Sequence, residues 1–521
     1  MNRLLKPPLI ALLIAAGLGG GSLATARAEG PVAAVSAEER LQGEHIFALG
    51  YSRIAEYFLD PVDLRTLALD GLAGLAAKDP RIDAKVVNDV LRLRVDGRMV
   101  GELPLPDHGG PGPWAELTSR AIERLRAHSA PLAALDREAT YSVVFDAIVR
   151  DLDEYSRYTS AARAAQERSQ REGYVGIGLS LRHEGGEHLV VAVTSHSPAD
   201  LAGVRAGDRI LSIDGVAAST LTAQQVGDRL RGLARTSVLL TVGENPQQAR
   251  RVAVSRDWIV PNMVTAQRDG RTAVLRIERF NAATERDLRD ALLSMMRDPA
   301  GAPTGYVLDL RGNPGGKLDQ AINVADLFMR SGRIVETRGR HPDSMQHFDA
   351  APDDIIDGAP LVVLVDGRSA SAAEIVAAAL QDSGRAVIVG ASSFGKGSIQ
   401  TVTQLPNEGE LFLTWSRFYA PSGYTLHRQG VQPTVCTSKQ AGSTNDILLS
   451  FVAGGMPPAT VIAALRAQAP ANEEALARLR EACPWKEHDA ALDVEVAKTL
   501  LATPTLYRRA LAPTQTSIAE R

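Results

Sequence analysis

The sequence predicts an α/β fold: a core of mixed, mostly parallel sheet and helices, with an inserted β-rich module and helical regions at both ends. Three observations carry that expectation. From Thr272 onwards, wholly apolar strand-like runs alternate with helical ones, as in a sheet buried on both faces. Between Tyr174 and Val242, short alternating runs are separated by glycine-containing turns, which reads as a compact antiparallel module. Apolar residues recur at three-to-four spacing near the start, and the tail after Asn445 is rich in Ala and Leu; both read as helix. A chain of 521 residues is too long for one core, so two or three domains are expected.

Residues 1–28 read as a secretory signal peptide. Arg3 and Lys6 flank a short apolar run, and Ala26-Arg27-Ala28 matches a small-x-small cleavage site. The mature chain is expected in the periplasm, with an uncleaved anchor as the membrane-associated alternative. Residues 29–171 form a helical N-terminal region, with Ile46, Leu49, Ile54, Tyr57 and Phe58 in period and a break at Asp60-Pro61. A hairpin is expected at about 86–105, turning at Asp96-Gly97, and helices from 114 to about 171 with a break around Ala130-Pro131. The module spans 172–256, with strands at 176–181, 189–193, 209–213 and 238–242 and a helix at 222–233. The core spans 257–440, with strands at 273–277, 306–310, 361–365 and 386–389, and helices at 284–296, 318–329 and 371–381. Strand-like runs at 399–404 and 411–419 follow, and residues 441–521 read as an accessory or oligomerisation element.

The chemistry lies in three segments of the core. Ser371 opens an Ala-rich helix, where unpaired backbone N–H groups would meet an anion forming beside it. Lys396 stands between glycines after an apolar strand, and Gln400 lies four residues on, on the same face of the next strand. Lysines are few and arginines many, yet only lysine can give up its proton and act as a base. A serine needs such a base to attack a carbonyl, and desolvation is what makes the amine available. Asp309-Leu310-Arg311-Gly312-Asn313-Pro314-Gly315-Gly316 is a Gly-rich turn that lets a backbone N–H approach a ligand.

Competing readings fail on detail. Residues 390–397 approach a Walker A loop, but Gly397 stands where a magnesium-binding hydroxyl is required. Ser393-Phe394-Gly395-Lys396 matches Ser-x-x-Lys without a downstream Lys-Thr-Gly. His183 and His188 flank Gly185-Gly186, a hairpin tip rather than a metal-binding helix, and His427 reads as a surface histidine. A net charge of −4 with scattered cations leaves no nucleic-acid footprint. Cys436 and Cys483 pair or stay free; sequence leaves both open.

Taken together, the segments resemble the C-terminal processing peptidases, also called tail-specific proteases. The resemblance implies Ser371 as nucleophile, Lys396 as general base and Gln400 as its orienter. It implies an oxyanion hole at the N–H groups of Ala372 and Gly316, and no cofactor. The β-rich module resembles a PDZ domain, whose Tyr174-Val175-Gly176-Ile177-Gly178-Leu179 would capture a chain-terminal carboxylate. Expected partners are unfolded or C-terminally exposed protein substrates, an adaptor protein, and further copies of the chain. Thr434 departs from the family, which usually has aspartate there. The alternative function is a catalytically idle PDZ scaffold.

Overall fold

The computed structural model describes residues 37–519 apart from 108, 440, 441 and 488. The expected signal segment lies outside the described residues. At the centre is a six-stranded sheet in the order Val264–Asp269, Thr272–Ile277, Gly305–Asp309, Leu361–Val365, Val387–Gly390, Val435–Cys436. The first pair is antiparallel and every other pair parallel.

Period-two alternation divides the apolar strands between two cores. Leu275, Leu308, Val363 and Ile388 are in register across four strands and face the helices Thr284–Met296, Leu318–Asp326 and Ala372–Asp382. Val307, Val362, Leu364, Val387 and Val389 face the other way, onto Ile447, Val496, Ala497 and Leu500 of the C-terminal helices. The tail is therefore the second helical layer of the core, not an appendage. Sequence reading missed this because an amphipathic face does not name its partner.

A second sheet, antiparallel, runs Gln346–Asp349, Arg333–Gly339, Glu410–Tyr419, Ser398–Gln404, with Arg157–Thr159 also paired to Glu410–Tyr419. The helices expected from 114 to about 171 are Pro111–Arg126, Ala130–Ala133, Arg137–Arg150 and Ala161–Arg171, and that three-residue strand lies unforeseen between the last two. It is too short to show alternation. Arg333–Gly339 and Gln346–Asp349 were likewise not foreseen, because charged residues interrupt their apolar pattern. In the N-terminal domain the hairpin turns at Asp96-Gly97, both at positive φ, and gains a third strand, Ile82–Val87. Its core draws Leu411 and Leu413 from the second sheet and Leu405 from the turn that follows Ser398–Gln404, joining the two domains.

The β-rich module orders its strands Arg250–Ser255, Ser237–Gly243, Arg209–Ile213, Glu187–Val193, Leu179–Glu184, leaving the last as an open edge beside the helix Ala223–Leu230. Leu500 is fully buried in the second core. Leu500→Ala should lower stability by about 2–5 kcal/mol, read by equilibrium urea denaturation.

Candidate active site

Ser371 follows the strand Leu361–Val365 through a tight turn and stands at φ 55°, ψ −115°, a strained setting for a residue with a Cβ. The turn is fixed from below. Ser369 donates its hydroxyl to the Leu310 carbonyl, Gly312 donates its N–H to Asp366, and Ala370 to the Asn313 carbonyl. These bonds lay the Gly-rich loop against the serine. A Cβ on Gly315 would sit 2.8 Å from Ser371 Cβ and 3.0 Å from the Ala372 nitrogen, so only glycine allows the approach.

Gly316 forms a parallel bridge with Phe280, made by the Gly315 carbonyl and the Lys317 N–H. The N–H of Gly316 itself therefore faces away from Phe280, and no described residue accepts it. The Ala372 N–H, first in its helix, is also without an acceptor among the described residues. Two free donors thus flank the serine.

Lys396 is carried by the loop between Val387–Gly390 and Ser398–Gln404. Glu374 ties this loop to the serine. Its wholly buried carboxylate accepts the N–H of Ser371 at 2.8 Å, of Gly395 at 2.7 Å and of Lys396 at 2.9 Å, and also the Ser393 hydroxyl. Burial pushes its pKa up and these four donors pull it down, with burial the larger influence. Sequence reading did not single out Glu374, because nothing in one sequence distinguishes a buried acceptor from a helical surface carboxylate.

The C-terminal helices brace both loops from behind. Cys436 and Cys483 form a disulfide. Ser392 donates its N–H and hydroxyl to the Cys483 carbonyl, and Arg480 donates to the carbonyls of Ser393, at 2.7 Å, and Phe394. On the other loop, Arg311 pairs with Asp493, which is 1% exposed.

Ser371, Ala372, Gly315, Gly316, Lys396 and Gln400 all line one cleft of about 610 Å³. The Lys396 amine lies 5.1 Å over the Tyr155 ring and makes no ion pair among the described residues. Burial lowers its pKa and Arg157 lowers it further, against the opposing pull of Asp153 and Glu374. Gln400 does not bond Lys396 here. Its Nε2 donates to Ser398 at 3.0 Å and Thr414 at 3.3 Å. His427, expected at the surface, is half-buried, edge-on to Tyr155 at 6.4 Å, with Nδ1 buried and unpartnered.

A second groove, of about 210 Å³, lies between the open edge strand and the helix Ala223–Leu230 of the β-rich module. Tyr174, Ile177, Gly178 and Leu179 line it. Val175 and Gly176 are not among its lining residues; they pair with Trp258 and Asp257 in a two-stranded link to the core. The carbonyls of Ile177 and Gly178 accept from Ala199 and Thr194, while the N–H groups of Ile177 and Gly178 meet no acceptor among the described residues. Those donors suit a carboxylate.

Residues 271–437 match peptidase family S41 and residues 189–243 match the PDZ domain. A carboxy-terminal-processing protease of Bartonella bacilliformis is 38% identical over 317 residues, 60% of this chain and 73% of the relative. The chain belongs to the carboxy-terminal-processing proteases of family S41. The carboxyl-terminal-processing protease of a Picosynechococcus species is 34% identical over 287 residues, 53% of this chain and 68% of its own. A solved photosystem II D1 C-terminal processing protease aligns at 26% identity and a TM-score of 0.35, covering 71% of this chain and 92% of that one.

Two outcomes follow for this S41 peptidase. Glu374→Gln sets an NH2 group against donors that now share an oxygen, so activity should fall at least about tenfold, given about 1–3 kcal/mol for each donor left unpaired. Turnover and calorimetric melting measure it. Reducing Cys436–Cys483, which closes a sequence separation of 47 residues, should lower stability by about 2–4 kcal/mol, measured by denaturation with and without a phosphine.

Proposed function

We propose that the chain is an exported serine endopeptidase that cleaves protein substrates near apolar C-terminal tails captured by its PDZ domain. Ser371 is the nucleophile and Lys396 its general base. The observation that carries this reading is a desolvated lysine without an ion pair sharing a cleft with a serine between two free N–H donors.

The neutral Lys396 amine takes the Ser371 proton as the hydroxyl attacks the substrate carbonyl. The N–H groups of Gly316 and Ala372 receive the oxyanion, each worth about 3–4 kcal/mol of barrier. Lys396 then returns the proton to the leaving amine, and water resolves the acyl-enzyme by the same route. Gln400, whose Nε2 is committed to two hydroxyls, offers its carbonyl oxygen as the acceptor that steadies the ammonium between steps. Serine and lysine suffice, so no cofactor enters. A sheet-edge groove with two free donors supports tail capture upstream of this chemistry.

Ser371→Ala, Lys396→Ala and Lys396→Arg should each cut kcat/KM on an unfolded, apolar-tailed substrate by about 1,000-fold or more while melting stays within a few degrees. Equal cleavage by all three would remove the dyad, and no cleavage by the unsubstituted protein would favour a binding scaffold. The reactive form is the free amine and its pKa is lowered. kcat/KM should therefore rise with pH along a limb centred below the ordinary lysine value of about 10.4; a flat profile contradicts the assignment.

A further inference from the structure

The hairpin Leu179–Glu184 and Glu187–Val193 places His183 opposite His188. Their rings lie 4.5 Å apart with Nδ1 to Nδ1 at 3.2 Å. His188 is 1% exposed, and its Nε2 lies 3.0 Å from the Ala218 carbonyl and 3.2 Å from the Leu221 carbonyl. Carbonyls only accept, so that nitrogen carries the hydrogen. No carboxylate pairs with this buried ring among the described residues, and with its hydrogen on Nε2 the imidazole presents Nδ1 as an acceptor. The His183 Nδ1 must then carry a hydrogen and donate to it. In the neutral His183 ring, Nε2 on the far side from His188 is left as an acceptor. This tautomer follows from the network. A metal is not the explanation, because no group of three or more suitable ligands exists among the described residues.

His183 lines the groove of the PDZ domain together with Leu179 and Leu181, alternate residues of the open edge strand. A peptide added antiparallel to that edge, its carboxylate on the Ile177 and Gly178 N–H groups, advances one station for every two residues. Its last side chain meets Ile177, Leu179 and Leu230. The residue two before it meets Leu181 and Ala223. Both stations are apolar. The residue four before the end meets His183.

We propose that His183, its tautomer held by His188, is a specificity-determining residue. It selects tails with a hydrogen-bond-donating side chain (Ser, Thr, Asn or Gln) four residues before an apolar chain end. The inference rests on the reading of this groove as a tail-capture site. It adds a polar requirement at one position to an otherwise apolar recognition.

The test is fluorescence anisotropy with the full-length chain carrying Ser371→Ala, so that peptides are bound but not cut. Decapeptides ending in an apolar residue carry Ser or Ala four residues before the end, each as free acid and as terminal amide. The Ser peptide should bind about three- to tenfold tighter than the Ala peptide, the range for one hydrogen bond. His183→Phe and His183→Ala should erase that preference, read as the ratio of the Ser-peptide to the Ala-peptide affinity within each variant. Moving Ser one residue should also erase it. Equal affinities for Ser and Ala, with free acid still preferred over amide, would overturn this inference and leave tail capture standing. No binding, or binding indifferent to the terminal carboxylate, would overturn both.

Discussion

One buried carboxylate ties together the two loops of the cleft in this S41-family chain. Glu374 accepts backbone N–H groups from the serine's turn and from the lysine's loop at the same time. A buried charge is expensive unless its oxygens are satisfied, and here four donors satisfy them. The same bonds hold Ser371 in a left-handed backbone setting that costs about 1–3 kcal/mol by itself. Two loops that leave neighbouring strands of the central sheet are thereby tied to one another.

Glu374 also works against a free amine on Lys396, since a nearby negative charge favours the ammonium. Burial of the amine and the Arg157 charge outweigh Glu374 and Asp153, so the net shift is downward. Arg157 is itself placed by the second sheet, 3.6 Å over the Phe412 ring, and is drawn to Glu167. The C-terminal helices supply the backing. Arg480 and the Cys483 carbonyl hold the lysine loop, and Asp493 holds Arg311 of the Gly-rich loop. The two loops of the cleft are therefore held by residues beyond the matched S41 segment, which ends at residue 437.

Four strands of the central sheet were legible in the sequence as apolar runs between periodic helices, whereas Val264–Asp269, largely polar, and Val435–Cys436, two residues long, were not. The grouping of Ser371, Lys396, Gln400, Ala372 and Gly316 in one cleft was legible through the resemblance of their motifs to those of the C-terminal processing peptidases. What sequence could not supply was pairing across distance. Arg157–Thr159 has no period to read, Arg333–Gly339 is interrupted by charge, and the tail's apolar face does not say that it covers Val362 and Leu364. The roles of Glu374 and His188 were hidden for a related reason. A buried polar residue is recognisable only once its partners surround it, and those partners here are backbone groups, which no sequence pattern marks.

The central claim is an uncharged Lys396 amine beside Ser371. Its most direct test is a heteronuclear NMR titration of the lysine ζ-nitrogens, with Lys396→Arg assigning the resonance. The account predicts one amine that loses its proton well below the other lysines, which titrate near about 10.4. A Lys396 amine that titrates with the rest would contradict it.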